Sequence, residues 1–81
     1  MSTPEDYLQN HRASQIKVGD FVKVLFRAYR DENGWDNGWV SDMDNAIGHV
    51  YQVTEDCDGW GFRLSSPEQF CYPYFVLSIV R

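Results

Sequence analysis

Two cysteines and two histidines, Cys57, Cys71, His11 and His49, are the side chains of this chain most apt for nucleophilic or metal chemistry. A cysteine nucleophile needs a cationic or helix-N-terminal setting to become a thiolate. Cys57 lies between Asp56 and Asp58, which oppose that, and Cys71 sits in an aromatic run, where it reads as a core or edge filler. Ser65-Ser66 lacks the glycine elbow of a serine nucleophile. No nucleophile–base constellation can be read, so the expectation is a non-enzyme with no catalytic residue. Cys-x-x-Cys spacing is absent, which leaves zinc unsupported. Asp42-Met43-Asp44-Asn45 starts like a calcium loop, but Ile47 occupies the sixth position and Val53 the twelfth, where glycine and glutamate belong. These acids and asparagines read more simply as turn formers, with a looser calcium site among Asp31, Asp36, Asp42 and Asp44 as the alternative. The expectation is no metal and no cofactor.

A denser pattern fills the stretch from Arg30 to Phe62. Its acids are Asp31, Glu32, Asp36, Asp42, Asp44, Glu55, Asp56 and Asp58, with no lysine or arginine between Asp31 and Phe62. Tyr29, Trp35, Trp39, Tyr51 and Trp60 lie in or beside it, and two Asn-Gly pairs mark turns. Rings set among carboxylates suit arginine- or lysine-bearing peptides, through stacking, cation–π contact and charge pairing. A competing reading also holds. An excursion of this length in a small domain must fold back and bury something. Trp39 and Met43 are candidate anchors into a core, Trp35 less so, and Trp60 should be half-buried.

The whole chain bounds these readings. Eighty-one residues make one domain, and 16% aromatics permit a dense small core. A net charge of −5 argues against gripping phosphate backbones or anionic membranes. It favours a basic partner or serves solubility alone. The first residues, Met1-Ser2-Thr3-Pro4-Glu5-Asp6, carry neither the cationic nor the apolar part of a signal peptide, and no apolar run is long enough for a membrane span. The expectation is a cytoplasmic protein with reduced thiols.

These residues must be positioned by short elements. Thr3 as N-cap, Pro4 in the first turn and the acids Glu5 and Asp6 predict a helix to Ala13, with Tyr7, Leu8 and His11 on one face. Gly19-Asp20 turns the chain into a strand running from Phe21 towards Tyr29. Its apolar parity, Val22, Val24, Phe26 and Ala28, should face the core. A second strand spans 47–54 with a bend near Gly48, and Asp58-Gly59 predicts a hairpin turn. A third strand follows, with Trp60, Phe62 and Leu64 on one face. Phe70–Tyr72 is a short fourth strand, Pro73-Tyr74-Phe75 a 3₁₀ turn, and 76–80 the last strand.

Five short strands, a long first loop and a proline-containing turn before the last strand make an all-β pattern. With Val18-Gly19-Asp20-Phe21-Val22-Lys23-Val24, Gly48-His49-Val50-Tyr51-Gln52-Val53 and Tyr72-Pro73-Tyr74-Phe75-Val76-Leu77, the chain resembles a small five-stranded SH3-like barrel over residues 16–81, preceded by a helical extension over 1–15. Trp39-Val40-Ser41-Asp42-Met43-Asp44, Ile47-Gly48 and Pro73–Leu77 also look like uncharacterised barrel proteins encoded by bacteriophages, which would place the chain in a host cytoplasm. The resemblance implies a groove between the long first loop and the turn before the last strand. Trp35 or Trp39, Tyr72, Pro73 and Tyr74 would line it, and Asp31, Glu32, Asp36, Asp42 and Asp44 would rim it. The opening "A-L-Y-D-Y" of SH3 domains is missing, which counts against polyproline recognition. The expected function is a non-enzymatic module binding a protein or basic peptide, with no direct nucleic acid and no membrane. The alternatives are an acidic mimic of nucleic acid that blocks a host enzyme, or a small structural protein assembling, for example, as a homodimer.

Overall fold

The computed structural model describes residues 3–30, 32–67 and 69–80. A helix, α1 (Pro4–Ala13), precedes five strands: β1 (Phe21–Val24), β2 (Val50–Asp56), β3 (Phe62–Leu64), β4 (Cys71–Tyr72) and β5 (Leu77–Ile79). The helix begins as its sequence directs. Asp6 N–H donates to the Thr3 hydroxyl at 3.2 Å while the Thr3 N–H donates to the Asp6 carboxylate at 3.0 Å, a reciprocal cap on two otherwise orphaned donors.

The strands form one antiparallel sheet in the order β4-β3-β2-β1-β5. β1 is an interior strand beside the edge strand β5, and its residues pair on both sides: Lys23 lies opposite Val50 of β2 and Ser78 of β5. The apolar parity of β1 faces inward as expected, with Val22, Val24 and then Ala28 fully buried. They pack with Val53, Phe62, Leu64, Tyr72, Val76 and Leu77. The expected bend falls at Gly48, whose φ is +88°. Gly48 N–H donates to Val24 O at 2.7 Å, so the returning chain is tied to the end of β1.

Four expectations need correction. β1 stops at Val24, because beyond it Leu25 N–H turns to Val76 O and the regular ladder ends. Phe26, expected inside, is therefore exposed. Trp60 does not share the inward face of Phe62 and Leu64. It closes a 3₁₀ turn over Asp58–Trp60 and stands 63% exposed. Trp35, the weaker core candidate, is the largest fully buried side chain. Finally, among the described residues no pairing joins β4 to β5, so the five strands are an open antiparallel sheet and not a closed barrel.

Candidate functional site

The long first loop contains two 3₁₀ segments, Glu32–Gly34, which leads into the buried Trp35, and Ser41–Ala46, which carries the buried Met43. Trp35 follows the first. Its indole N–H donates to Trp60 O at 2.8 Å and its ring meets Phe75 edge-on at 6.5 Å. Met43, in the second, is 1% exposed, and its sulfur accepts the Val40 N–H at 3.4 Å. The indole N–H finds a carbonyl because a buried donor left unpaired is costly.

The face between this loop and the turn before β5 is occupied by α1. Tyr7, fully buried, packs on Tyr74 at 5.3 Å and on Phe75 at 6.5 Å. His11 stacks flat on Phe62, with centroids 4.0 Å apart and an interplanar angle of 8°. At the other end of the helix, Gly34 lies so close that a Cβ there would collide with Thr3 O. A short chain of hydrogen bonds closes the face. Tyr74 N–H reaches Tyr7 Oη at 3.4 Å, Tyr7 Oη lies 3.1 Å from His11 Nδ1, and His11 Nε2 lies 2.7 Å from Asp56 Oδ1. Burial pushes the Tyr7 hydroxyl well above the ordinary tyrosine range, so it stays protonated. The carboxylate oxygen of Asp56 accepts, so His11 Nε2–H donates to it. Tyrosine, histidine and aspartate stand in the order of a proton relay. Tyr7 and His11 are 0% and 2% exposed, and the arrangement ties the helix to the sheet as a latch.

The side chains expected to form one groove therefore divide. Trp35 and Tyr72 are buried, Tyr74 is half-buried beneath α1, and Pro73 is buried. These four do not line an open groove. Glu32 is turned back on the chain, its carboxylate accepting the Tyr29 N–H at 3.0 Å. Asp31 lies outside the described residues. Trp39, Asp36, Asp42 and Asp44 remain on the surface of the loop, Trp39 half-buried and the three acids exposed.

Trp39 is held on two sides. Its ring meets Tyr72 edge-on at 5.6 Å, and its indole N–H donates to Asp44 Oδ1 at 2.7 Å. The second oxygen of Asp44 lies 3.7 Å from the Arg27 guanidinium, and that guanidinium also lies 5.6 Å from the Tyr29 ring centroid. Asp36 and Asp42 have no hydrogen-bond or ion-pair partner among the described residues. The result is an indole with a fixed orientation, a half-exposed carboxylate that already accepts a guanidinium, and two further acids. Chemically it can stack on and charge-pair with a planar cation. No group of three or more histidine, cysteine, aspartate or glutamate side chains among the described residues converges to hold a metal ion. No helix among them is long and apolar enough to cross a membrane.

Sequence reasoning missed the latch. Tyr7 and His11 were legible as one helical face, but nothing local tied that face to Asp56, 45 positions away from His11. It also missed that Trp60 would be the exposed tryptophan. Protein-family models, curated proteins and solved structures contain no match to this chain.

Proposed function

We propose that this chain is a non-enzymatic interaction module that binds an arginine-bearing segment of a basic protein through Trp39, Asp44, Asp42 and Asp36. The observation that carries the reading is the Trp39–Asp44–Arg27 cluster. Arg27 shows that a guanidinium can sit at Asp44, and at 3.7 Å between half-exposed groups its own pairing is weak. A ligand arginine stacked on Trp39 would replace it there with a shorter, fork-like contact. The exposed Trp60 adds a second apolar surface beyond Gly61, whose backbone lies against the Tyr72 carbonyl. The sheet is read as SH3-like in architecture. That reading is supported by the return of β5 to β1 and by the single 3₁₀ turn, Tyr74–Val76, that joins the two edge strands. In this reading the face that corresponds to an SH3-like groove is filled by α1, and the ligand face moves outward along the loop.

Titration of a fluorescent oligo-arginine peptide against wild type, Trp39→Ala and Asp36→Asn/Asp42→Asn tests it. Trp39→Ala should weaken binding by roughly tenfold or more, and the double asparagine variant should flatten the salt dependence. Equal affinity in all three, with folding verified, would remove the loop face from consideration. Acidic mimicry of nucleic acid makes the opposite forecast: sensitivity to charge with indifference to the indole.

A further inference from the structure

The turn between β2 and β3 carries Cys57, and β4 carries Cys71. The two are free thiols whose sulfurs lie 3.2 Å apart, with the Cys71 S–H donating to Cys57. This approach is built by the backbone. Cys57 N–H donates to Gly61 O at 2.9 Å and closes the turn, while Arg63 pairs with Cys71 across β3 and β4. Cys57 is partly exposed and Cys71 is 9% exposed, so one sulfur reaches solvent and the other waits behind it. An Arg63 guanidinium nitrogen lies 3.9 Å from the Cys71 sulfur, a cation beside the inner thiol.

We propose that Cys57 and Cys71 form a modification site, a dithiol that a low-molecular-weight disulfide converts reversibly into an intramolecular disulfide. The Cys57 thiol loses its proton to solvent and attacks one sulfur of the small disulfide. A mixed disulfide forms and one small thiolate leaves, taking up a proton. Cys71, whose sulfur lies beside the Arg63 guanidinium, gives its proton to solvent as it attacks the Cys57 sulfur and expels the second small thiol. Two protein thiols are oxidised and one small disulfide is reduced to two thiols, so no further oxidant is needed. Burial first, then the contact with Cys71, pushes the Cys57 thiol up to about 12. The first step is therefore slow near neutrality and quickens as pH rises. The cross-link would pin the turn to β4. Asp56, the neighbour of Cys57, carries the His11 bond, so the same turn anchors α1.

The test equilibrates the folded full chain with oxidised and reduced glutathione at pH 8.5 and counts thiols by mass. The expected product is a monomer lighter by two hydrogens, with both thiols lost. Its equilibrium constant should be at least ~10-fold larger for the folded chain than in denaturant, because the fold has already brought the sulfurs together. Cys57→Ser and Cys71→Ser, each keeping one thiol, should yield at most a glutathione adduct. The proposal is overturned if the folded chain keeps both thiols at ratios that cross-link the denatured chain. It is equally overturned if only glutathione adducts or intermolecular dimers accumulate.

Discussion

The tripeptide Asn-Gly-Trp occurs twice in the first loop, at Asn33-Gly34-Trp35 and at Asn37-Gly38-Trp39, and the two copies meet opposite fates. In the first, Asn33 and Gly34 both take positive φ, +53° and +81°, and the tryptophan drops fully into the core beneath α1. In the second, a Cβ on the glycine would meet nothing within 4 Å, and the tryptophan stays half out, pinned by Tyr72 and Asp44. Local sequence is the same, so it does not decide the outcome. The helix does: Thr3 O presses on Gly34, and Tyr7 and Trp35 both meet the Phe75 ring edge-on. One copy is built into the core, and the other is held at the surface.

The comparison can be broken in graded ways. Trp35→Ala should cost about 3–5 kcal/mol, since it empties a large core site, and should leave this small domain largely unfolded in a thermal melt. A variant that melts near wild type would mean that Trp35 is not the anchor described. Gly34→Ala combines a left-handed backbone with the approach to Thr3 O, and should cost about 2–3 kcal/mol. Gly38→Ala should stay within about 0.5 kcal/mol. Chemical denaturation of the pair reads the contrast directly, and equal losses would erase it.

Tyr7→Phe should cost about 1–2 kcal/mol, because it deprives the buried His11 Nδ1 of its hydrogen-bond partner without opening a cavity. The same residue makes a pH forecast. The Tyr7 hydroxyl is raised in the folded state, so its contribution is complete below the ordinary tyrosine range, near pH 10. It is lost progressively as pH rises above that, where the unfolded chain gives up protons that the folded chain keeps. Wild type should lose stability on alkaline titration more steeply than Tyr7→Phe. Trp39→Ala should cost much less than Trp35→Ala, roughly 1–2 kcal/mol of stability from a half-buried ring, with its main consequence in peptide binding. A loss as large as that of Trp35→Ala would show that both copies are core.

Much of the scaffold is legible in short stretches of sequence. The helix from Pro4 to Ala13 is written in Thr3, Pro4 and Asp6, because caps act within three residues of one another. The inward parity of Val22, Val24 and Ala28, the bend at Gly48 and the 3₁₀ turn after Pro73 follow from local rules of the same kind. Phe26 defeats the parity rule, because its strand ends two residues earlier where Leu25 bonds to Val76. Of the residues assigned to a groove, Asp36, Trp39, Asp42 and Asp44 reach the surface of the loop, and Trp39 and Asp44 are in contact. Trp35, Tyr72 and Tyr74 do not join them, since covering the groove requires a helix whose docking partners lie far away in sequence.

Composition, capping, turn chemistry and alternation therefore determined that this chain makes a short helix and a small antiparallel sheet around aromatic residues. Those signals act over a few residues, and a single sequence states them openly. Which tryptophan is buried, that His11 reaches Asp56, and that Cys57 meets Cys71 were decided only by tertiary structure. Each depends on two distant segments competing for the same space, and the winner is set by how the whole core packs.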